Sequence, residues 1–189
     1  DGEITYNTLI ISGDLSTREF NVGNLYIGSN NSIELDVSTK VNINASYGGT
    51  ISNIDIFNIL VPSTSELVLN DPTVKLNPSV NYAGIGDYQG SGSITLNNVD
   101  IEAYVTAPSN ASIIGSNSIN GTSEDIIIND SNINVHEYST PSAAYSGIWI
   151  GGKNSNIVTI DNSNINIESD SSRMTGPYVI YSDIINIED

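Results

Sequence analysis

Three sets of residues in this 189-residue chain are of types that do chemistry. The first is Asp71, Asp130 and Asp161, each set beside asparagine in the runs LNDP, INDS and IDNS. Hard cations want several oxygen ligands, so these three carboxylates are the candidate calcium ligands. The same residues also suit a ladder of side chains that hydrogen-bond one another and the turn backbone, without any ion. The second set is aromatic: the single tryptophan, Trp149, with Tyr82, Tyr88, Tyr145, Tyr178 and Tyr181 in or next to comparable positions. Flat rings beside Asn, Asp and Ser offer a sugar both its apolar face and its hydroxyls a partner, and exposed aromatics mark contact sites. The third set is titratable. His136, the one histidine, has no Ser or Cys at a spacing that would make a nucleophile, and it reads as a surface residue at a strand end. Lys153 and Arg173 are the basic residues near Trp149, with Asp87 and Asp170 as acids that could join them. Glycosidase chemistry needs two carboxylates about 5–10 Å apart on one face, and no aligned pair is visible. No catalytic residue is therefore assigned.

The elements that must position these residues are written in a repeat. ITLNNVDIEA from Ile94, IIINDSNINV from Ile126 and VTIDNSNINI from Val158 are three copies of one pattern, each 32 residues after the last. Looser copies are LVLNDPTVKL from Leu67 and IELDVSTKVNI from Ile33. In each copy apolar residues alternate on either side of a polar corner, the mark of two short strands with one face buried. A third short run precedes the last three copies: AGIG at Ala83–Gly86, SIIG at Ser112–Gly115 and IWIG at Ile148–Gly151. Three short strands per repeat, stacked in register, give an all-β parallel β-helix, a solenoid of about five to six coils with almost no helix. Aligning the copies places Asp36, Asn70, Asn97, Asn129 and Asp161 in one column, and Asp71, Asn98, Asp130 and Asn162 in the next. If Ile85, Ile114 and Ile150 point inward, Gly84, Ile113 and Trp149 point outward. The alternative is that the loop 137–145 folds over the strand and covers Trp149. The chain reads as one domain over 1–189, with an irregular first coil at about 1–30 and the clearest repeats over 67–187. It also reads as a piece of a larger polypeptide, whose other domains are its neighbours.

Charge narrows the partners. Twenty-two acids against five Lys and Arg give a net charge of −17. With no basic patch to displace counterions, nucleic acid is excluded as a partner, and anionic membrane surfaces are repelled. No apolar run is long enough to span a bilayer, and the absence of cysteine removes disulfides and thiolate chemistry.

The segments AGIGDYQGSGSITLNNVDIEA and SGIWIGGKNSNIVTIDNSNINIES resemble the glycine-containing repeats of bacterial secreted and cell-surface proteins. Those belong to the right-handed parallel β-helix, pectin-lyase-like class, and the resemblance spans roughly 67–187. It implies an extracellular or cell-surface location, and the Asn corner resembles that class's asparagine ladder. The class holds polysaccharide lyases and hydrolases, tailspikes, carbohydrate-binding modules and adhesin stalks, so function must come from the site. Its catalytic stacks of Asp with Arg or Lys have no match here. The expectation is a non-enzymatic adhesion or carbohydrate-binding module whose partner is a polysaccharide or host-surface glycan. No cofactor is expected beyond the candidate calcium. The alternatives are a polysaccharide lyase or glycoside hydrolase, and a purely structural stalk.

Overall fold

The computed structural model describes residues 8–11, 20–21, 32–35, 40–44, 53–56, 58–76, 84–88, 90–105, 111–116, 118, 121–137, 148–152, 154–169 and 179–188. Among them every regular element is a strand, and no residue is helical. Three sheets account for nearly all strands, and within each the strands follow chain order. The first sheet runs Thr8–Ile11, Ser32–Leu35, Asn58–Leu60, Ile85–Asp87, Ala111–Ser116, Ile148–Gly151 and Val179–Tyr181. The second runs Phe20–Asn21, Lys40–Asn44, Glu66–Asn70, Ser93–Asn97, Ile126–Asn129, Ile157–Asp161 and Ile184–Glu188. The third holds Asn53–Ile56, Thr73–Leu76, Asp100–Val105, Asn132–Glu137 and Asn164–Ser169. All pairings within these sheets are parallel, and each strand meets its counterpart from the neighbouring repeat.

The register puts like on like. Leu67, Ile94, Ile126 and Val158 form one inward column, and Leu69, Leu96, Ile128 and Ile160 the next. All eight are buried. In the third sheet Val74, Ile101 and Ile133 do the same. Alternation explains why: in Ser93–Asn97 the buried residues are Ile94 and Leu96, while Ser93, Thr95 and Asn97 face out. Each fully buried Ile or Leu is worth about 1.5–3 kcal/mol, and β-branched side chains suit a pleated surface. Pro62 and Pro72 fall between strands, where a missing N–H breaks no ladder.

One corner and one glycine column shape the repeat. After four of the second-sheet strands the chain turns at Asp71, Asn98, Asp130 and Asn162, all with positive φ (67°, 53°, 49° and 43°). Asn and Asp are the non-glycine residues that tolerate this region best, which accounts for their presence at each copy. Within three first-sheet strands stands a glycine: Gly86, Gly115 and Gly151 lie in register with φ of 141°, 109° and 93°. These are the glycines that end AGIG, SIIG and IWIG.

The alignment of the earliest copy needs correcting. The segment from Ile33 belongs to two sheets, with Ser32–Leu35 in the first and Lys40–Asn44 in the second. Asn44 is the residue that pairs with Asn70 in the asparagine column, and Asp36 lies outside the described residues.

Candidate functional site

The asparagine corner is a hydrogen-bonded ladder. Asn97 Nδ2 donates to Asn70 Oδ1 at 2.9 Å, and Asn129 Nδ2 donates to Asn97 Oδ1 at 2.9 Å. Beside it, Asn98 Nδ2 donates to Asp71 Oδ1 at 2.7 Å and Asn162 Nδ2 to Asp130 Oδ1 at 2.6 Å. The backbone repeats the link, since the N–H groups of Asp71, Asn98 and Asp130 donate to the carbonyls of Asn97, Asn129 and Asp161. Ser131 and Ser163 continue it, with Oγ atoms accepting from the N–H groups of Val99 and Ser131. The three candidate calcium ligands are therefore spread out. Asp71 and Asp130 share a column with Asn98 between them, and Asp161 sits in the neighbouring column. Among the described residues no three His, Cys, Asp or Glu side chains gather as a metal site.

The aromatic set is also not one face. Trp149 does not lie on the surface: it is 2% exposed, and its indole N–H donates to the Ser116 carbonyl at 2.8 Å. The expected alternation fails because Ser112, Ile113, Ile114, Gly115 and Ser116 are all buried, so this sheet is covered on both sides. The register also shifts between Ser112 and Ile114, which pairs Trp149 with Ser112 and leaves Ile113 as an extra residue. Gly84 and Ile113, placed outward by the same alternation, are buried as well. Tyr88 is exposed just past the strand Ile85–Asp87, where its N–H donates to Asp87 Oδ1 at 2.6 Å. Tyr181 lies in a strand paired with Gly151. Tyr82, Tyr145 and Tyr178 lie outside the described residues, as do Lys153, Asp170 and Arg173.

What the fold does assemble is a cluster on the outward face of the third sheet. Register aligns Lys75, Glu102, Asn134 and Asn166 in one column and Tyr104, His136 and Glu168 in the next. Strand alternation turns all of them out while Ile101, Ala103, Ile133 and Val135 fill the interior. The rings of Tyr104 and His136 stack with centroids 5.2 Å apart and planes 19° from parallel. Lys75 Nζ sits 5.3 Å from the centre of the Tyr104 ring, a cation–π distance. His136 Nε2 lies 2.9 Å from Glu102 Oε2, and its Nδ1 lies 3.7 Å from Glu168 Oε2. Asn134 Nδ2 donates to the other Glu102 oxygen at 3.0 Å. Both oxygens of Glu102 are thus engaged. The cluster is neither core nor free surface, with 27% of the His136 side chain and 41% of the Glu102 side chain exposed.

Neither Tyr104 nor His136 stands out in the sequence as a site residue. Tyr104 sits where the repeat runs into polar linker, and His136 has no nucleophile near it in sequence. The signal was the period itself: Tyr104, His136 and Glu168 are 32 residues apart, like the asparagines. Comparison with protein-family models, curated proteins and solved structures finds no match to this chain.

Proposed function

We propose that the chain is a right-handed parallel β-helix of about five to six coils, akin to the pectin-lyase-like repeats of bacterial secreted or surface proteins. In this reading it acts as a non-enzymatic module that binds carbohydrate or mediates adhesion. The solenoid is supported by three parallel sheets whose strands follow chain order and pair from repeat to repeat. Binding is supported by one observation above the others, the stacked Tyr104 and His136 rings bracketed by Glu102, Asn134 and Glu168 on the outward face of the third sheet. A saccharide presents hydroxyls that both donate and accept. Carboxylates accept from them, carboxamides do both, and the ring edges give an apolar boundary. Mounting these groups on strands rather than loops fixes their spacing in advance, which lowers the ordering cost of binding.

The pairing of both Glu102 oxygens favours binding over turnover, because that carboxylate is held as an oriented acceptor. The contact between His136 and Glu102 is also the kind that orients a general base, so the test must register cleavage. A glycan array is probed with the parent chain, Tyr104→Ala and His136→Ala, with and without calcium, and bound polymers are sized afterwards. Binding by the parent that is lost in Tyr104→Ala is the expected result, and calcium dependence would bring Asp71, Asp130 and Asp161 back as ligands. No binding under either condition sinks the glycan reading and leaves a structural stalk, while shortened polymers would make the chain an enzyme.

A further inference from the structure

Resting on the glycan reading of the third-sheet cluster, we infer that its ligand is an amine-bearing sugar polymer, and that Lys75 holds its own ammonium where the ligand's would sit. The motive is the place of Lys75. It stands in the Glu102 column on the preceding strand, with its side chain exposed. An exposed lysine is free to extend into water, yet its Nζ lies 5.3 Å from the centre of the Tyr104 ring. What draws a cation there is the negative face of the ring. Lys75 comes from the strand before Tyr104, and His136, stacked on the same ring, from the strand after. The Tyr104 ring is therefore a cation seat, occupied by a side chain that a ligand can displace.

The groups around that seat select the sign of the ligand. On the Tyr104 strand, Asp100, Glu102 and Tyr104 share the outward side, and Asp100 is exposed. Glu168 meets His136 from the following strand. Glu102 is held at one oxygen by His136 and at the other by Asn134. An ionised carboxylate has about four acceptor sites, so it keeps room for a ligand N–H beside those two partners. A uronate or other acidic sugar would bring a carboxylate against these acids. A protonated amino sugar instead donates to Glu102 and sets its ammonium against Tyr104, while its hydroxyls meet Asn134. An N-acetyl group on the same nitrogen removes that charge. The net charge of −17 acts in the same direction, since it concentrates a cationic polymer near the surface.

The test is isothermal titration of the parent chain with two oligosaccharides of equal length, β-1,4-linked glucosamine and its fully N-acetylated counterpart. The buffer is acidic enough to protonate the amines, and an oligolysine of equal charge is run beside them. The glucosamine oligomer is expected to bind about three- to thirtyfold more tightly than the acetylated one, a preference that added salt shrinks. Lys75→Ala, a change at an exposed side chain, should tighten the glucosamine oligomer about two- to fivefold by clearing the ring. Glu102→Gln, which keeps the shape and removes the charge, should lower the preference while the acetylated oligomer still binds. Equal or tighter binding of the acetylated oligomer, or weaker binding of the glucosamine oligomer by Lys75→Ala, overturns this inference and leaves the glycan reading standing. Oligolysine bound as tightly as the glucosamine oligomer overturns it in favour of charge alone. Failure of both sugars to bind overturns it together with the glycan reading.

Discussion

Substituting Gly115 with alanine tests the fold where the structure gives the clearest number. Gly115 has a φ of 109°, and a Cβ there would lie 2.7 Å from the Gly151 carbonyl oxygen and 2.9 Å from the Gly151 Cα. The obstruction is backbone of the next repeat, which no rotamer change can move. A non-glycine residue held in this region costs about 1–3 kcal/mol. Relieving the clash means parting two strands, and each ladder hydrogen bond weakened adds about 0.5–1.5 kcal/mol. Gly115→Ala should therefore destabilise the protein by about 3–5 kcal/mol, a large share of the roughly 5–15 kcal/mol that holds a typical domain. The control is Gly90→Ala, whose new methyl would meet the Thr122 hydroxyl at 3.1 Å, a side-chain atom that can move. That variant should cost no more than about 1 kcal/mol. Urea titration followed by circular dichroism gives both values from the midpoints, with the slope checking that the surface exposed is unchanged. If Gly115→Ala costs less than about 1 kcal/mol, or no more than Gly90→Ala, the glycine column is not the constraint described.

Other expectations follow from single contacts. The Ser123 hydroxyl is buried without a hydrogen-bond partner, so Ser123→Ala should be neutral or stabilising by up to about 1 kcal/mol; a loss above that in thermal unfolding would mean the hydroxyl is satisfied. Trp149→Phe removes the indole N–H that pairs with the buried Ser116 carbonyl and should cost about 1–3 kcal/mol. It should leave glycan binding untouched, which an array run beside Tyr104→Ala decides. Ile128→Ala, inside the sealed column, should cost about 2–5 kcal/mol, and the same change at exposed Ile187 less than about 1 kcal/mol in dilute solution.

The stacking plan was legible because the period is nearly perfect over three copies, and a fixed period with two-residue alternation leaves few arrangements that bury every apolar residue. The left-handed corners were legible as composition, through Asn and Asp recurring at one place. Alternation misled at Trp149 for a physical reason: it reports which side is wet, and around Ser112–Ser116 neither side is. The Ile33 copy misled because it joins the first sheet to the second, whereas the later copies join the second to the third, and alternation alone does not say which sheet a strand enters.

The site lay beyond the motif for a related reason, and the columns show why. Where a column keeps one residue type, as in Asn70, Asn97 and Asn129 or in Gly86, Gly115 and Gly151, the fold itself demands that type: an amide to continue the ladder, a glycine to let backbones approach. Resemblance between repeats finds such columns first. Lys75, Glu102 and Asn134 share a column but not a chemistry, and neither do Tyr104, His136 and Glu168. Strand pairing does not require these outward identities, since the ladder runs on with asparagine in the Glu102 column at Asn134 and Asn166. Such outward positions are the ones that stacking leaves open, in the third sheet as in the second, where Val68, Thr95, Ile127 and Thr159 share one column.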